Sequence, residues 1–105
     1  LTSFKRFSQI SDLPISSRDL SFSIKAFSSR QDLEKYILGY EHELLREKFI
    51  FDYFYNEDSA EIKIGFRFIF QSLNSTITEI QVNDVMNDII RNTEKIKGVT
   101  IPGLN

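Results

Sequence analysis

The chain has 105 residues, enough for one domain with a single modest core, and its ten phenylalanines can fill much of it. Thirteen Lys and Arg against 15 Asp and Glu give a formal net charge of −2. That balance argues against non-specific nucleic-acid binding through a basic surplus, while leaving room for one small, shaped site. With no cysteine there is no disulfide, thiolate metal site or thiol nucleophile, and no apolar run approaches the ~20 residues of a membrane span.

Residues 1–17 have weak periodicity. Phe4, Phe7 and Ile10 could pack on a neighbour, but the serines and Pro14 favour an extended arm or linker, with a frayed terminus as the plain alternative. The chain opens on Leu1 rather than a methionine, so a fragment or processed piece of something larger is expected. The folded domain is then residues 18–105. Its first strand is Asp19–Ile24, where Leu20, Phe22 and Ile24 face one way and Ser21 and Ser23 the other. A helix follows over Arg30–Gly39, with Leu33, Tyr36, Ile37 and Tyr40 on one stripe. Ser29 is its expected N-cap, Asp32 and Glu34 lie near its positive end, and Gly39 is its stop. Residues 41–48 either extend this helix or lead into what comes next.

Next come two aromatic, β-branched runs, Phe49–Tyr55 and Glu61–Ser72, around a polar break at Asn56–Ala60, which is the pattern of a β-hairpin. In the second run Ile62, Ile64, Phe66, Phe68 and Phe70 share a face, opposite Lys63, Gly65, Arg67 and Ile69. In the first run Phe49, Phe51, Tyr53 and Tyr55 share a face, opposite Ile50, Asp52 and Phe54. After a polar turn, Thr78-Glu-Ile-Gln81 fits a capping box. It opens a second helix with the stripe Val82, Val85, Met86, Ile89 and Ile90. Lys95 and Lys97 lie near its negative end and Gly98 closes it. Val99–Ile101 makes a short last strand, stopped by Pro102.

The order β-α-β-β-α-β predicts an α+β domain, the ferredoxin-like split βαβ, with an antiparallel sheet and two helices on one face. The two helices should cover the greasy side of the hairpin. The open face should then carry Ser21, Ser23, Lys63, Gly65 and Arg67, joined by Asp52 and Phe54.

Few residues point to chemistry. His42 is the only histidine, and Glu41 and Glu43 beside it lack the helical spacing of metal ligands. No Ser-His-Asp or Cys-His set can be assembled. Glu57 and Asp58 read as a solvated turn, and the four glycines are scattered rather than gathered in a phosphate loop. Neither a catalytic nor a metal site is expected. Lys63–Phe70 echoes an RNA-recognition motif, but that reading needs Phe66 and Phe68 to point outwards, which alternation opposes. Phe54 is different. Beside Asp52 on the mixed face, its ring suits stacking on an unpaired base, and it equally suits packing under the N-terminal arm.

Four segments, taken in order, carry a family resemblance. They are Pro14-Ile-Ser-Ser-Arg-Asp-Leu-Ser-Phe22, Phe51-Asp-Tyr-Phe54, Lys63-Ile-Gly-Phe-Arg-Phe68, and Thr76-Ile-Thr78 with Val82-Asn83. Together they resemble the anticodon-binding ferredoxin-fold domain at the C-terminus of phenylalanyl-tRNA synthetases, over about residues 4–101. The resemblance implies an open sheet face that holds the anticodon of tRNA(Phe). Phe54 falls where the family stacks a base on an aromatic ring, Asp52 on an aspartate that accepts from a base edge, and Ser21 on a small residue that lets the base approach. Lys63 departs from the serine common in bacterial members and could reach a phosphate, as could Arg67. Arg18-Asp19 matches a family marker and reads as a structural ion pair at the strand start. The resemblance places catalysis elsewhere in the parent ligase, which would use ATP and Mg. It implies the rest of that enzyme as partner, a catalytic alpha subunit if the type is bacterial, and no membrane. The expected location is the cytoplasm of a bacterium, or the matrix or stroma of an organelle.

Three rival readings use the same fold. A small-molecule regulatory module would need ligand-binding loops, often at a dimer interface. An acylphosphatase-like hydrolase would need a phosphate-cradling loop with Arg, and an Asn to position water. A dimerisation module would pair through the mixed face.

Overall fold

The computed structural model describes residues 13–103. Six elements follow one another: β1 (Ser16–Ile24), α1 (Phe27–Gly39), β2 (Leu45–Asn56), β3 (Glu61–Phe70), α2 (Glu79–Thr93) and β4 (Val99–Thr100). The strands form one antiparallel sheet in the order β2-β3-β1-β4. Both helices contribute to a single core on one face. This is the ferredoxin-like α+β arrangement that the element order predicts. No helix among the described residues is long and apolar enough to cross a membrane. The proposed packing of Phe4, Phe7 and Ile10 lies outside the described residues.

The two central strands obey simple alternation. Leu20 pairs with Phe66, Phe22 with Ile64 and Ile24 with Ile62. Side chains paired across an antiparallel ladder share a face, and all six are 8 % exposed or less. Phe22 and Phe66 meet edge to face at 5.8 Å between centroids, the geometry ring quadrupoles favour. Over them lie Leu33 and Ile37 of α1 and Val82, Val85, Met86 and Ile89 of α2, all buried. Burying each such side chain stabilises the fold by about 1.5–3 kcal/mol before entropy is charged against it.

The capping box at α2 forms as predicted. Thr78 Oγ1 accepts from the Gln81 N–H at 3.2 Å, and Gln81 Oε1 accepts from the Thr78 N–H at 2.8 Å. Other helix boundaries differ from expectation. α1 starts at Phe27 with Ala26 as N-cap and no side-chain cap. Ser29 is therefore inside the helix, buried, with its hydroxyl donating to the Lys97 carbonyl. That bond ties the first turn of α1 to the turn before β4, a tertiary use that competes with capping. Asp32 and Glu34 fall beyond the first turn, where Glu34 accepts from Arg30 Nε at 2.6 Å. α2 ends at Thr93 with Arg91 in its last turn. Lys95 and Lys97 lie in the turn beyond, and Gly98 supplies the left-handed φ of +83°.

Residues 41–48 lead into the hairpin, since β2 begins at Leu45. His42 Nδ1 accepts from the Leu44 N–H at 3.1 Å in that approach. At the hairpin tip Asn56 Oδ1 accepts from the N–H groups of Asp58 (3.0 Å) and Ser59 (3.4 Å), a side-chain-closed turn.

Candidate nucleic-acid interface

Three rows of side chains cross the face away from the helices, and strand register defines them. One row holds Asp19, Arg67 and Phe49. The next holds Ser21, Gly65 and Asp52. The third holds Ser23, Lys63 and Phe54. The five candidate residues, Ser21, Asp52, Phe54, Lys63 and Arg67, thus stand in consecutive rows of one surface. Phe54 is 55 % exposed, the highest value among the large apolar side chains of β2. Among the described residues neither the Asp52 carboxylate nor the Lys63 ammonium has an ion-pair or hydrogen-bond partner. Ser21 is exposed at the centre of the face.

Ser23 differs from the expected open position. It is 2 % exposed, and its hydroxyl donates to the Glu61 carboxylate on the same face. Phe66 and Phe68 are fully buried, so the echo of an RNA-recognition motif in β3 is a core pattern.

Arg67 is held by a neighbouring strand. Its Nε donates to Asp19 Oδ1 at 2.8 Å and its Nη2 to Asp19 Oδ2 at 2.9 Å, a two-pronged charge-assisted bond. The hydrogen bonds from Arg67 hold the Asp19 carboxyl below its ordinary pKa, and Asp19 in turn raises that of Arg67. The expected ion pair at the strand start is therefore Asp19 with Arg67. Consecutive strand residues point to opposite faces, and Arg18 instead donates to the Ser17 carbonyl at 3.1 Å.

β2 does not keep the predicted alternation. The register shifts between Ile50 and Asp52, so that Phe51 is an extra residue in a β-bulge. Phe49 pairs with Arg67 and Ile50 with Phe66. Phe49 therefore moves to the open face and Ile50 to the helix side, while Asp52 and Phe54 stay on the open face as predicted. The Phe51 ring also reaches the open face. It lies over Gly65, where an added Cβ would sit 2.9 Å from Phe51 Cε1, and the Arg67 guanidinium lies 4.6 Å from its centroid. Phe49 and Phe51 are residues of this face that alternation missed. One signal was present, because an isolated glycine in a strand of large residues marks a bulge or a close approach.

The helix side of β2 is only thinly covered. Tyr53 takes a hydrogen bond from Arg30 at 3.1 Å, with the guanidinium over its ring at 4.7 Å, and Tyr55 touches Phe27 at 5.9 Å between centroids. Both tyrosines keep about two-fifths of their surface exposed.

Among the described residues no group of three or more His, Cys, Asp or Glu side chains is arranged to hold a metal ion. The open face offers instead flat rings, an unpaired carboxylate, an unpaired ammonium and a small central residue. This combination suits unpaired bases, whose faces stack and whose edges donate and accept. Comparison with curated proteins gives no match. The family model of the ferredoxin-fold anticodon binding domain matches residues 11–101, across all six elements, and the chain belongs to that family of tRNA-binding domains.

Proposed function

We propose that this chain is the C-terminal domain of a phenylalanine–tRNA ligase and binds the anticodon of tRNA(Phe), positioning the tRNA for aminoacylation carried out elsewhere in the enzyme. The observation that carries the reading is the Phe54 ring, 55 % exposed beside the Asp52 carboxylate, which has no partner among the described residues, on the open face of the sheet. In this reading an anticodon base stacks on Phe54 and its edge donates to Asp52. Ser21 leaves room for the base to approach, and Lys63 neutralises a neighbouring phosphate. The four-segment resemblance supports the choice of phenylalanine ligase. ATP and Mg act in the catalytic part of the parent, which is a separate subunit in a bacterial enzyme and the same chain in an organellar one.

One stacked ring is worth about 1–3 kcal/mol. Phe54→Ala is therefore expected to weaken tRNA(Phe) binding roughly 5- to 150-fold at that rate, with the fold intact by circular dichroism. In the parent ligase it should depress charging of tRNA(Phe). If affinity and charging are both unchanged, Phe54 is not the platform. If this chain prefers another tRNA over tRNA(Phe), the ligase assignment fails while the family membership stands.

A further inference from the structure

The bulge in β2 brings a second ring to the open face, and that ring is held in a way that Phe54 is not. Phe51 lies across Gly65, whose missing side chain makes the space. A Cβ there would meet Phe51 Cε1 at 2.9 Å and Cζ at 3.0 Å. The Arg67 guanidinium lies over one face of the ring, 4.6 Å from its centroid, and is itself fixed by its fork to Asp19. The end of the Phe51 ring is thus seated on Gly65 and one face is covered by Arg67, yet 40 % of the residue stays exposed, and a base would take the face opposite the guanidinium. Phe54 stands two residue pairs farther along the ladder than Gly65 and Asp52, about 7 Å at the usual strand rise. Asp52, whose carboxylate has no partner among the described residues, stands in the Gly65 row, two residues before Phe54.

A preset ring loses little freedom when a ligand lands on it. Neighbouring bases of a single strand splay readily onto separate aromatic faces. We infer that the open face takes two consecutive unpaired bases, one on Phe54 and the next on Phe51, with Arg67 as the residue that positions the second platform. This rests on the anticodon-binding reading above and extends it from one base to a dinucleotide. It also changes the part of Arg67, whose Nε and Nη2 are committed to Asp19, from a phosphate contact to a clamp.

The test titrates the chain with an anticodon stem-loop RNA carrying the fluorescent base 2-aminopurine at one or the other of two adjacent loop positions. The unchanged chain is expected to perturb both labels. Phe51→Leu keeps an apolar cover over Gly65 and removes the π face. It should weaken binding about tenfold and silence the response of one label only. Phe54→Leu should silence the other. Arg67→Lys keeps the charge and loses the fork, so it should act on the same label as Phe51→Leu. If folded Phe51→Leu binds within twofold of the unchanged chain and both labels still respond, the second platform is overturned. A Phe54→Leu loss in that same experiment would leave the anticodon reading standing. Failure of the unchanged chain to bind the hairpin overturns both.

Discussion

β3 and β2 are the two arms of one hairpin and are built from the same kinds of residue, yet Ile62, Ile64, Phe66, Phe68 and Phe70 of β3 are 2 % exposed or less. The large apolar side chains of β2 from Phe49 to Tyr55 are 38–55 % exposed. β3 has a strand on each side and both helices beneath it. β2 is the sheet edge, where α1 contacts Tyr53 and Tyr55 through Arg30 and Phe27. Ring chemistry therefore does not decide between core and contact surface; position in the layer does. Long aromatic edge strands also risk pairing with other chains. β2 carries two common protections against that, charges at Arg46, Glu47 and Lys48 and interruptions of register near both Arg46 and Phe51.

The sharpest way to break this comparison is to truncate one ring in each arm. Phe68→Ala is expected to destabilise the domain by about 3–5 kcal/mol, a large share of the roughly 5–15 kcal/mol that holds such a fold. Phe54→Ala should stay within about 0.5 kcal/mol. Urea unfolding followed by circular dichroism measures both, and similar midpoints for the two variants would end the distinction between the arms.

A smaller effect tests where the arms meet. In Gly65→Ala the new methyl collides with the end of the Phe51 ring. That ring can swing outwards, so the cost should be about 1 kcal/mol, the low end for overpacking. The ring protons of Phe51 should shift in the NMR spectrum. If they do not move, Phe51 is not seated on Gly65 and the bulge does not shape the open face.

The smallest effect is acid dependence. Arg67 lowers the pKa of Asp19 in the folded chain, so the folded state binds that proton less tightly than the unfolded state. The pair's contribution is present above about pH 4, the unfolded carboxyl value, and fades as pH falls through the lower folded value. Both side chains are about two-fifths exposed, at 39 % and 40 %, so solvent screening keeps the contribution small. Asp19→Asn should flatten the fall in unfolding midpoint slightly between about pH 5 and pH 2. An acid profile identical to that of the unchanged chain would show that the fork adds nothing to stability.

Much of the fold was legible because its signals are local. The stripes of α1 and α2, the alternation of β1 and β3, and the Thr78–Gln81 cap each depend on spacings within a few residues. Those spacings hold whatever the rest of the chain does. The placement of Phe54, Asp52, Ser21, Lys63 and Arg67 on one face follows from the same alternation, whereas their roles toward RNA come from the family resemblance. The start of α1 departs from expectation because Ser29 has the chemistry of a cap, while its hydroxyl is used 68 residues away.

Residue order alone set the element sequence, the apolar faces of β1, β3 and the two helices, and the two-layer plan, since period and capping are properties of a short stretch of backbone. Register was decided only when strands met. The bulge at Phe51, the move of Phe49 to the open face and the grip of Asp19 on Arg67 across 48 residues depend on which residue stands opposite which. That choice is made by packing across the whole sheet, where no short window of sequence can see it.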